Sequence, residues 1–164
     1  KPTEKLPQAE YWSRPCITVK KKMYYNEPEQ NVSSVKTSIN TELKMFLSVN
    51  YRLGKVSVNL NPEILNVFSD QKNLNILLSL EPMGNAAFLG KIETRLIDNN
   101  EIFFKDEVDI AVYKTMKKRI TIPLEKITKK SFQLEVELNT NRNDDGANIL
   151  KVDPIVLRKG VVIK

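Results

Sequence analysis

Residues 35–53 read VKTSINTELKMFLSVNYRL, and the fold turns on how this stretch is read. Its odd positions are Val35, Thr37, Ile39, Thr41, Leu43, Met45, Leu47, Val49, Tyr51 and Leu53. Its even positions are polar, from Lys36 through Ser38, Asn40, Glu42, Lys44, Ser48 and Asn50 to Arg52, with Phe46 as the exception. Side chains of a strand alternate between faces, so the pattern predicts one long ribbon with an apolar stripe and a wet stripe. Fully extended it would reach roughly 60 Å at about 3.3 Å per residue. Such a stripe has to be buried, by this chain or by a partner.

Working outward toward the N-terminus, residues 26–34 (NEPEQNVSS) are dense in turn formers, and residues 11–23 (YWSRPCITVKKKM) form a β-type run. Pro15 in that run is tolerated only at an edge or a bulge, because it has no N–H to give to a ladder. Residues 1–9 read as a loose lead-in. The first 53 residues thus supply two strands, which do not make a stable domain by themselves. Here we expect the last two strands of an incomplete immunoglobulin-like domain.

Toward the C-terminus the pattern becomes short strands separated by turn signals. They are expected at Val56–Leu60, ended or bent by Asn61-Pro62-Glu63, then Leu74–Leu80 and Lys91–Ile97, the last running into the turn Asp98-Asn99-Asn100. Further strands are expected within 101–113, at Lys118–Leu124, at Phe132–Asn139 and across Ile149–Leu157, where Asp153-Pro154 interrupt. About seven strands with no helical period over residues 54–164 predict an all-β, immunoglobulin-like β-sandwich as the C-terminal domain.

Composition excludes much chemistry. The 164 residues contain no histidine, which removes Ser-His and Cys-His nucleophile systems and His-ligated metals. Cys16 is the one cysteine, so no intrachain disulfide can form, and it reads as a small buried apolar residue. Asn143-Asp144-Asp145-Gly146 lacks the spaced acids of a calcium loop and reads as a turn. Glu135 and Glu137 fall on one solvent face of a strand, with no sign of a catalytic acid pair. No enzyme, metal or cofactor is expected. The net charge is +6, with nine basic and five acidic residues in 1–53 and seventeen against fifteen beyond. Lys20-Lys21-Lys22 before Tyr24 and Tyr25 reads as a solvated hairpin end rather than a nucleic-acid patch. No apolar run approaches the ~20 residues of a membrane-spanning helix.

Several segments, in order, resemble a known family. Tyr51-Arg52-Leu53-Gly54-Lys55 closes the ribbon, Glu10-Tyr11-Trp12-Ser13-Arg14 opens the run before it, and Ser79-Leu80-Glu81-Pro82-Met83-Gly84-Asn85-Ala86-Ala87 follows in the second part. Then come Asp109-Ile110-Ala111-Val112-Tyr113, with Lys118-Arg119-Ile120-Thr121-Ile122-Pro123-Leu124 after it, and Arg142-Asn143-Asp144-Asp145-Gly146. This succession resembles the C-terminal part of the two-domain periplasmic chaperones of fimbriae and pili, in the divergent branch of Bacteroidetes and other Gram-negative bacteria. The resemblance implies a periplasmic protein that lends an edge strand to a pilus or fimbrial subunit lacking its final strand. By that resemblance the donor residues are Ile39, Thr41, Leu43, Met45, Leu47 and Val49, and Tyr51 and Arg52 form the linker motif. The family's better-known members carry a lysine three residues before the tyrosine, where this chain has Ser48. Self-association through the same strand is a further expectation. The alternatives are a cell-envelope immunoglobulin-like adhesion or interaction module, or an accessory sandwich of an enzyme such as a glycosidase.

Overall fold

The computed structural model describes residues 5–21, 41–142 and 149–163. The donor position Ile39, residues 35–40 of the stretch 35–53, Lys22, Tyr24-Tyr25 and the turn 143–146 lie outside the described residues. The chain divides into two compact units, Tyr11–Tyr51 on one hand and Lys1–Glu10 with Arg52–Lys164 on the other.

The larger unit is an all-β, immunoglobulin-like sandwich of two antiparallel sheets. Strands β5 (Leu60–Ser69), β6 (Asn73–Pro82) and β9 (Met116–Pro123) form one, in the order β5-β6-β9. Strands β7 (Phe88–Asp98), β8 (Glu101–Val112), β10 (Ser131–Asn139) and β11 (Ile155–Val162) form the other, in the order β11-β10-β7-β8. The alternation in β10 sorts its side chains: Phe132, Leu134, Val136 and Leu138 are buried in the core. They meet Leu74, Ile76, Leu78 and Leu80, the alternate residues of β6, in the same apolar cluster. Two sheets that bury one face each against the other need no further layer.

The turns are set locally. Asn99 and Asn100 both take positive φ, 48° and 67°, closing the β7–β8 hairpin between the paired Asp98 and Glu101. Two left-handed residues give the twist a two-residue hairpin needs, and asparagine adopts that region more readily than other side chains. At the β5–β6 hairpin the Asp70 carboxylate accepts the backbone N–H of Lys72 at 2.8 Å and of Asn73 at 2.7 Å. Those bonds, with another from the Asn75 side chain, hold the Asp70 carboxyl below its ordinary range.

Three expectations for this unit are corrected. The strand expected at Val56–Leu60 instead starts at Leu60 and continues to Ser69, straight through Pro62. Because β5 is an edge strand, the missing proline N–H faces no neighbour. The last strand does not span Asp153-Pro154 but starts after them, at Ile155. Glu135 was expected on a solvent face, yet it is only 6% exposed. Its carboxylate receives Arg95 Nη1 and Arg158 Nε, each at 2.7 Å, and those two side chains cover it.

The smaller unit contains β2 (Cys16–Lys21) and β3 (Thr41–Phe46), which pair antiparallel as a two-stranded sheet. Strands β1 (Ala9–Ser13) and β4 (Val49–Leu53) form another two-stranded sheet, and the division between the units crosses both.

Candidate strand-addition surface

Within the described part of 35–53 the ribbon is not one strand. It is broken at Leu47-Ser48, between β3 and β4. Cys16 is opposite Phe46, so the next position places Pro15 against Leu47, whose N–H donates to the Pro15 carbonyl at 3.1 Å. Proline has no N–H to return, and the ladder stops there. Cys16, expected to be buried, is exposed: among the described residues no second layer covers β2.

Each predicted donor residue can now be placed. Thr41, Leu43 and Met45 share one face of β3, with Leu43 opposite Val19 and Met45 opposite Ile17. All are exposed, Leu43 by 55% and Met45 by 43%. Leu47 is exposed in the break, and Val49 is exposed at the start of β4. Thus Leu43, Met45, Ile17 and Val19 form a four-residue apolar patch on a sheet only two strands wide. Among the described residues neither β2 nor β3 has a second strand neighbour. The opposite face is mixed, pairing Thr18 with Lys44 and Lys20 with Glu42.

Of the linker motif, Tyr51 is exposed and Arg52 is half-buried. Arg52 Nε reaches Glu10 Oε2 at 2.7 Å, and the Glu10 side chain is 2% exposed. Glu10 also accepts the backbone N–H of Ala87 at 3.3 Å and donates its own N–H to the Asn85 carbonyl at 2.9 Å. The Asn85 side chain donates to the carbonyls of Gln8 (2.8 Å) and Lys55 (3.1 Å) and accepts the N–H of Ser57 (2.7 Å). Gly54 between them takes φ +70°, the left-handed region that favours glycine. The chain entering β1 and the chain leaving β4 are therefore both hydrogen-bonded to the sandwich. Sequence reading named Arg52 but missed Glu10 as its partner and Asn85 as the residue that ties Gln8, Lys55 and Ser57 together. The only available signal was an acidic residue in an otherwise apolar opening, Glu10-Tyr11-Trp12.

These observations define a class: an immunoglobulin-like β-sandwich joined to a narrow β-ribbon with an apolar face. Compared with family models, with curated proteins and with solved structures, the chain matches none of them.

Proposed function

We propose that the chain is a periplasmic chaperone that holds fimbrial or pilus subunits by lending them β3 as an edge strand. One observation carries this reading: β3 has an open flank among the described residues and an apolar stripe, Thr41, Leu43 and Met45, with no second layer over it. Backbone groups along such a flank supply the affinity of an added strand, and the stripe supplies register. The subunit served is one whose own sandwich lacks a strand and so presents an apolar groove.

The test is co-expression with a groove-bearing fimbrial subunit. The wild-type chain keeps the subunit soluble and co-purifies with it. Leu43→Glu with Leu47→Glu abolishes retention while the melting of the sandwich is unchanged. Retention that is indifferent to both substitutions overturns the reading and favours an adhesion module that binds elsewhere.

A further inference from the structure

We propose that the outer face of the β5-β6-β9 sheet is a docking surface for an anionic lipid bilayer. The inference goes beyond the reading above and uses no residue of the ribbon.

The two outer faces of the sandwich handle charge in opposite ways. On the β11-β10-β7-β8 sheet the cations lie against glutamates of the same face. Arg95 meets Glu135 at 2.7 Å and Glu137 at 2.9 Å, and Arg158 meets Glu135 at 2.7 Å. Lys91 meets Glu107 at 3.0 Å, and Lys105 meets Glu93 at 3.2 Å. That face neutralises itself. Strand β9 and the turn before it instead carry Lys114, Lys117, Lys118 and Arg119, with no acid from Lys114 to Pro123. Among the described residues none of these four forms an ion pair.

Strand register builds the second face. Arg119 is beside Leu77 of β6, which is beside Asn66 of β5, and Thr121 is beside Asn75, itself beside Phe68. Alternation puts Lys117 on the same side as Arg119, and both are exposed. Ile64 and Val67 pack on the core, so Leu65, at the bulge between them, turns outward with Phe68. Leu65 and Phe68 are each 39% exposed, next to the half-buried Leu77. The acids of this sheet stand at its margins. Glu63 is across Ser79 from Lys117, Glu81 lies beyond Ser79 on β6, and Asp70 in the hairpin is taken up by backbone N–H groups and Asn75.

A flat surface that sets a small apolar group beside unpaired cations suits a bilayer surface. The cations meet lipid phosphates, and the apolar side chains enter the boundary of the acyl region. An acidic strand added along β9 is disfavoured, because Lys118 turns its stem inward at that edge and Pro123 ends it. A soluble polyanion would use the cations and leave Leu65 and Phe68 idle.

The experiment is co-sedimentation of the full chain with vesicles at low salt. The wild-type chain is retained by mixed phosphatidylcholine and phosphatidylglycerol vesicles, is not retained by phosphatidylcholine alone, and is released as salt rises. Lys117→Gln with Arg119→Gln weakens retention about 25-fold, at roughly fivefold for each cation. Lys20→Gln with Lys21→Gln removes the same charge from the ribbon and leaves retention within about twofold. Leu65→Ser weakens retention about fivefold, because less apolar area leaves water. All these positions are exposed, and melting curves that match the wild-type chain establish that each variant is folded. Four outcomes each overturn the proposal: no retention by anionic vesicles, equal retention by neutral ones, equal loss from the two double variants, or indifference to Leu65→Ser. The last of these assigns the same cations to a soluble polyanion instead.

Discussion

The four outer strands of the sandwich and the outer strand of the ribbon answer the same physical problem differently. An edge strand exposes unpaired N–H and C=O groups that invite another chain, and proteins commonly block such edges. On the sandwich, β5 carries Pro62 and a bulge between Ile64 and Asn66. Strand β9 sets Lys118 opposite the fully buried Leu78, where its stem turns inward, and ends at Pro123. Strand β8 exposes Lys105-Asp106-Glu107, and β11 exposes Arg158-Lys159-Gly160. Strand β3 has no proline or bulge, its apolar stripe is uninterrupted, and its two charges cancel. The difference teaches which of the described edges is least protected: β3 of the narrow ribbon.

The largest expected effect separates core from stripe. Leu134→Ala on β10 removes a fully buried side chain and should cost about 2–5 kcal/mol, seen as a large drop in the denaturant midpoint. Leu43→Ala on β3 should change the unfolding free energy by less than about 0.5 kcal/mol, since an exposed side chain leaves no cavity. Equal costs at the two sites would break the comparison.

Next comes Gly90 on β7, where an added Cβ would press on the Asn139 carbonyl and the Phe88 ring. Gly90→Ala should destabilise by about 1–3 kcal/mol, because backbone cannot yield as a side-chain tip can.

A smaller effect attaches to Glu135. Arg158 and then Arg95, by hydrogen bonding, hold its carboxyl below the ordinary glutamate value of 4.5. A carboxyl depressed in the folded state lends stability that is complete above that ordinary value and is lost as pH falls through the folded one. Glu135→Gln should therefore cost about 1–3 kcal/mol at neutral pH and flatten the acid limb of the stability curve. Some acid sensitivity remains in that variant, because Asp70 is also held low.

The smallest effect on stability sharpens the comparison most directly. Lys118→Val should leave the unfolding free energy within about 0.5 kcal/mol yet introduce concentration-dependent association through β9. Light scattering by the variant, set against the wild-type chain at the same concentration, reads that gain.

How much of this was legible from the residues alone depended on whether the cause was local. The alternation of Phe132, Leu134, Val136 and Leu138 and the hairpin at Asn99-Asn100 follow from neighbours in sequence, and both were readable. Pro62 reads as a stop until β5 is known to lie at an edge, which depends on sheet order. The burial of Glu135 was hidden for a related reason. Alternation assigns a face but says nothing of two arginine side chains, from β7 and β11, lying across it. The break at Leu47-Ser48 is caused by Pro15, thirty-two positions away, and only the strand register brings the two together. The stripe Leu43 and Met45 was plain in the sequence, whereas its exposure depends on no layer packing over the ribbon among the described residues.

Gln8 and Glu10 are tied to Asn85 and Arg52, and β2 is laddered to β3, although both connections bridge the stretch between Lys21 and Thr41. A single cut in that stretch would leave an N-terminal peptide still held by noncovalent bonds, the β1–β4 ladder among them. The protein should then run as one species on a native column and as two on a denaturing gel, and the peptides, made separately, should find each other again.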